Sequence, residues 1–131
     1  MADFRGFLIG GAIIAAVSGG LVGAPQARAG EADVVGVVVR ADGPGTYSFD
    51  VTVRHADAGW KHYADRWEVL TADGKTVLAT RTLLHPHEDE QPFTRSLAGV
   101  RLPPGTTVVV VRAHDSVHGY GGAEKRVKIG R

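Results

Sequence analysis

The chain has 131 residues, six histidines and no cysteine, with 15 Lys+Arg against 14 Asp+Glu for a formal charge of +1. That length suits one domain, and the balanced charge argues against a nucleic-acid binder, which needs a basic excess to neutralise phosphates. The absence of cysteine excludes a disulfide scaffold, a thiolate zinc site, an iron–sulfur cluster and a thiol nucleophile.

Residues 1–29 read as a secretory signal peptide. Arg5 marks a short basic start, an apolar stretch runs from Gly6 to Ala24, and Ala27-Arg28-Ala29 offers small residues where a signal peptidase cuts. Cleavage is expected between Ala29 and Gly30. The alternative is an uncleaved anchor, since the run approaches the ~20 residues that span a bilayer. No cysteine follows the run, so a lipid-anchored form is not expected. The remainder, 30–131, keeps all six histidines and has equal numbers of acidic and basic residues. It is expected in the periplasm or the medium of a bacterium, free of the membrane once the leader is gone.

Within 30–131, apolar residues alternate or form short runs, and turn signals recur every 8–12 residues. That pattern predicts an all-β sandwich of about seven antiparallel strands, immunoglobulin-like or fibronectin-III-like, with an open barrel as the competing architecture. In chain order the expected strands are Val34–Arg40, Tyr47–His55, about Asp65–Thr71, Thr76–Leu84, about Phe93–Leu102 with an interruption near Gly99, Thr107–His114 and Glu124–Ile129. The turns between them are Asp42-Gly43-Pro44-Gly45, a tight hairpin at Asp73-Gly74, and Pro103-Pro104-Gly105. Trp67 is expected in the core.

Successive antiparallel strands alternate direction, which sends every histidine to one end. His55 closes the second strand, His62 lies in the loop after it, and His85 and His87 follow the fourth strand. His114 ends the sixth, with His118 just beyond. Asp57, Asp65, Glu88, Asp89, Glu90 and Asp115 accompany them, as do Trp60, Tyr63 and Tyr120. Loops at one end of a sandwich are a usual place for function, and imidazole is the commonest biological metal ligand. In His85-Pro86-His87, side chains at i and i+2 of an extended segment point the same way, so both rings can reach one ion. His114 or His118 would complete the site, or His55, which is in phase with the core residues of its strand, or His62. Asp115 would ligate or orient. With nitrogen and oxygen donors only, and with Met1 the only methionine, zinc or copper(II) is the expected ion.

No catalytic residues are assigned. Ser116 lies between His114 and His118, but triad members are seldom packed into five consecutive residues, and no nucleophile elbow is present. Trp60, Tyr63 and Tyr120 would either stack on a sugar or pack over the histidine loops.

Three stretches, 59–67 (GWKHYADRW), 83–95 (LLHPHEDEQPFTR) and 112–122 (RAHDSVHGYGG), together resemble a family of small exported bacterial β-sandwich proteins with no settled activity. The resemblance implies export and the sandwich and brings no mechanism. Copper/zinc superoxide dismutases also carry a His-x-His pair on a sandwich, but this chain is shorter and lacks their cysteines. Periplasmic copper carriers use an N-terminal histidine, where this chain would begin at Gly30. The reading is therefore an exported, non-catalytic domain binding a divalent metal through its histidine end. The alternative is a metal-free accessory module recognising a glycan or protein partner there, with the histidines as a structural network.

Overall fold

The computed structural model describes residues 30–130; the expected signal peptide, 1–29, lies outside them. Among the described residues, the seven strands are β1 (Asp33–Gly43), β2 (Thr46–Arg54), β3 (Ala64–Thr71), β4 (Val77–Thr82), β5 (Phe93–Arg101), β6 (Val108–Asp115) and β7 (Lys125–Lys128). They form two antiparallel sheets, ordered β1-β2-β5 and β4-β3-β6-β7. The seven-stranded sandwich is thus the architecture the alternation predicts. Among the described residues no helix is long and apolar enough to cross a membrane.

The local chemistry explains the edges of these elements. Gly43 pairs with Thr46, so β1 runs further than expected and only Pro44-Gly45 turns the chain. Proline followed by a glycine at φ +73° is the residue pair that a type II turn takes. The Asp73-Gly74 hairpin is longer than expected. Thr71 N–H donates to the Thr76 carbonyl, and Asp73 accepts from the Thr71 hydroxyl and Lys75 N–H, which holds a four-residue loop. The interruption in β5 is a bulge. Tyr47 faces Val100 and Phe49 faces Leu97, with Gly99 at φ +68° in the extra position.

The core is the inner face of both sheets. Phe49, Val51 and Val53 of β2 and Phe93 of β5 meet Trp67 and Val69 of β3 and Val109, Val111 and Ala113 of β6, all with exposures of 3% or less. Strand order places the connections. The β2–β3 and β4–β5 loops cross between sheets at the same end as the β6–β7 loop, and the chain enters β1 there too.

The β6–β7 loop is clamped to that entry point. Ala123 N–H donates to the Asp33 carboxylate, and Val34 N–H donates to the Ala123 carbonyl. Gly122 passes so close to Ala32 that a Cβ there would lie 1.9 Å from the Ala32 carbonyl oxygen. That obstacle is backbone and cannot rotate away. Gly122→Ala is therefore expected to destabilise the domain by about 3 kcal/mol, the upper part of the overpacking range. Urea denaturation checks this, and a change below about 0.5 kcal/mol would show that the loop shifts freely.

Candidate metal centre

Two inward columns of side chains run one residue past the apolar core. On β2 the column Phe49, Val51, Val53 continues to His55. On β6 the column Val109, Val111, Ala113 continues to Asp115. The next inward position on each strand lies beyond the last core layer, and there the columns meet. His55 Nε2 lies 2.9 Å from Asp115 Oδ2.

Two further rings converge on the same oxygen. His62, from the β2–β3 loop, places Nε2 3.1 Å from Asp115 Oδ2, and His118, from the β6–β7 loop, places Nδ1 at 3.1 Å. The other carboxylate oxygen accepts the backbone N–H groups of Val117 and His118, which turns the chain back. Gly119 closes that turn at φ +72°, exchanging both backbone hydrogen bonds with Asp115. Five nitrogens therefore crowd a carboxylate that offers about four acceptor sites. Asp115 and His55 side chains are 0% and 1% exposed, His62 is 23% and His118 39%, so the group opens to solvent on the His118 side.

A second carboxylate orients this group from behind. Asp57, also fully buried, places Oδ1 2.5 Å from His55 Nδ1 and accepts from Ala64 N–H there. Its Oδ2 accepts from His87 N–H. Gln91 ties the two loops, accepting from His55 N–H and donating to the His87 carbonyl. The Gly30 carbonyl lies 3.1 Å from His55 Nε2.

The charges follow from these contacts. Burial alone would push Asp115 up, but the hydrogen bonds from His118, Val117 and His62 outweigh it and hold the carboxyl far below its usual range. Burial likewise opposes the hydrogen bonds from His55, His87 and Ala64 on Asp57, and the net shift is downward. Burial would lower His55, but Asp57 and Asp115 outweigh it and raise its pKa. Without metal, the two carboxylates flanking the His55 ring favour its protonated form. His87 goes the other way: burial, Arg95 and His85 all push its pKa down.

His55, His62 and Asp115 each offer a ligand atom within 4.8 Å of the others, a group that could hold a metal ion. His118, whose Nδ1 is 3.1 Å from the same Asp115 oxygen, borders that group. With ligand bonds of about 2.0–2.1 Å, adjacent ligand atoms lie about 3.3 Å apart and adjacent imidazole centroids about 5 Å. The nitrogens here are 2.9–3.1 Å from Asp115 Oδ2. The His55–His62 and His62–His118 centroids are 4.8 and 4.9 Å apart. The ligand atoms of His55, His62 and Asp115, all within 4.8 Å of one another, would draw toward that spacing to hold an ion. Asp57, on the far nitrogen of His55, then stands where a carboxylate fixes a ligating histidine's tautomer.

The other predicted residues lie around this group. His85 and His87 occupy the β4–β5 loop with ring centroids 4.6 Å apart, and His87 approaches the centre only through Asp57, its Nδ1 3.9 Å from Oδ2. His114 points out of the sandwich, its Nδ1 2.6 Å from Asp65 Oδ1 and its ring against Tyr120. Tyr120 is engaged on the outer face of the β3–β6 pair. Its hydroxyl donates to Glu68 and accepts from Arg66, and the Arg112 guanidinium lies 3.7 Å above its ring. Trp60 is 66% exposed and meets Tyr63 edge-on at 5.5 Å. The role of Asp57 was missed from sequence, where it counts only as one acid among six.

In chelator, this network sets a pH window for stability. Asp57 and Asp115 have depressed pKa values, so their stabilisation is complete above about pH 4 and is lost as pH falls further. His55 has a raised pKa, so its contribution is complete below about pH 6.5 and is lost as pH rises through the folded-state value. Thermal melts should peak between these limits, and His55→Gln should flatten the alkaline decline. An alkaline limb unchanged by that substitution would mean His55 is not the group responsible.

No protein-family profile matches the chain, and no solved structure does. A protein of Halomicrobium mukohataei described as "Putative lipoprotein" is 49% identical over 92 residues, which is 70% of this chain. Those residues make up 44% of the relative, so the chain spans less than half of that protein's length.

Proposed function

We propose that this chain is an exported, non-catalytic domain that binds one divalent ion, zinc or copper(II), through His55, His62, His118 and Asp115. The observation that carries this is the convergence of three imidazole nitrogens on one buried carboxylate oxygen. Three imidazole nitrogens and one carboxylate oxygen suit zinc first and copper(II) second. An ion at that point takes a lone pair from each ring instead of a proton, and relieves the crowding on Asp115. The His118 side admits it. Export is supported by the apolar leader pattern and by a relative described as a lipoprotein.

A second reading, a partner or glycan surface, is favoured by the exposure of Trp60 beside Tyr63. It makes no demand on the buried centre, so Trp60→Ala separates the two. Metal affinity should be unchanged by it, whereas capture of a partner should be lost.

Protein exported from the full-length chain and purified without chelator should carry about one zinc or copper per molecule. His62→Ala and His118→Ala, both at partly exposed positions, should fold and lose at least about tenfold in zinc affinity, and Asp57→Asn should lose about 10–100-fold. Affinity should rise with pH between 5 and 8, because each ligating imidazole must shed its proton. Trace metal and no thermal shift on adding zinc would overturn the reading.

A further inference from the structure

The β4–β5 loop holds a feature that the buried centre does not use. His87 is 4% exposed at its side chain, yet neither ring nitrogen has a hydrogen-bond partner. Its ring is stacked on Phe93, with centroids 3.9 Å apart and planes within 10°. Its backbone is held from both sides, by Asp57 at the N–H and Gln91 at the carbonyl. The ring is thus fixed in place by packing and main-chain bonds rather than by bonds of its own. Buried polar groups without partners are rare, and each one asks for an unseen partner.

A second imidazole lies against it. The His85 ring is 4.6 Å from the His87 ring, tilted by 35°, and exposed to solvent. His85 Nδ1 lies 3.0 Å from the Pro86 carbonyl, and the residue is exposed. The spacing is close to the 4.8 and 4.9 Å that separate the rings of the buried centre. It is also close to the roughly 5 Å expected of two imidazoles on one ion. The Asp57 oxygen at 3.9 Å from His87 Nδ1 supplies negative charge nearby. Asp57 meets His55 at Nδ1 while Asp115 meets it at Nε2, so the pair faces the opposite edge of the His55 ring.

We propose that His85 and His87 form a second, separate site for a divalent transition-metal ion, held by two imidazoles and completed by water. The site reaches solvent through His85. With two protein nitrogens against three nitrogens and a carboxylate, it binds more weakly and exchanges faster than the buried centre. Imidazole suits zinc and copper(II) alike, and copper(II) is the more informative probe because its spectrum reports ligand nitrogens.

The test is a copper(II) and zinc titration of the intact exported protein, followed by electron paramagnetic resonance and by the ring ¹⁵N signals of the histidines. Two ions per chain are expected, the second at least about tenfold weaker than the first. The second equivalent should move the His85 and His87 signals. His85→Ala, at an exposed position, should weaken the second ion by at least about tenfold and leave the first unchanged. His118→Ala should do the reverse. His87→Gln is a second variant, checked for folding by its melt, and should also remove the weaker ion. A single ion per chain that moves only the His62 and His118 signals, or a second ion indifferent to His85→Ala, overturns the proposal. Loss of the His62 and His118 response with the His85–His87 response intact would overturn the buried centre and leave this site standing.

Discussion

A carboxylate stays ionised inside a sandwich only if donors surround it, and Asp115 is fully buried with its charge retained. Removing the partners of a buried charge costs about 3–5 kcal/mol. The chain around Asp115 is therefore committed to supplying them. The turn from Ser116 to Gly119 brings two backbone N–H groups to one oxygen. The end of β2, the β2–β3 loop and the β6–β7 loop each bring a ring to the other. Three segments from both sheets are fastened at one point, which is why the open end of the sandwich is ordered without a disulfide.

The electrostatic state of that point is unusual in one respect. His55 has a carboxylate on each ring nitrogen, and both carboxylates hold their charge. Together they favour the protonated ring, whose Nε2 faces Asp115. On the proposed reading a metal ion would take the place of that proton, with Asp57 holding the far nitrogen of His55 in either state. The same carboxylate reaches His87 through its backbone N–H, so the two histidine groups share a buried anchor while presenting different edges.

The outer face of the β3–β6 pair is built differently. Glu68 is buried against Arg66, Arg112 and Tyr120, whose hydrogen bonds outweigh burial and keep its carboxyl below its ordinary range. His114 and Asp65 pair at the edge of this network. Strand phase accounts for the division. On β6, Arg112 and His114 face out and Ala113 and Asp115 face in, so neighbouring residues of one motif serve separate networks.

Much of this was legible in the sequence. Alternation in Tyr47–His55 and Thr107–His114 located the strands, and the alternation of strand direction sent all six histidines to one end. The phase of His55 marked it as inward. The same phase rule, carried along Val109, Val111 and Ala113, marks Asp115 as inward and His114 as outward, because side-chain period along a strand is a local property. Which rings meet was decided only by tertiary structure. His62 and His118 lie 56 positions apart in the chain, and their loops touch because β3 pairs with β6 while β2 pairs with β5. His85 and His87, two positions apart in sequence, are kept on the far side of Asp57 because the β4–β5 loop crosses between sheets on that side. Contacts across loops depend on sheet order and on how each crossover closes, and neither is encoded in the spacing of residues along one strand.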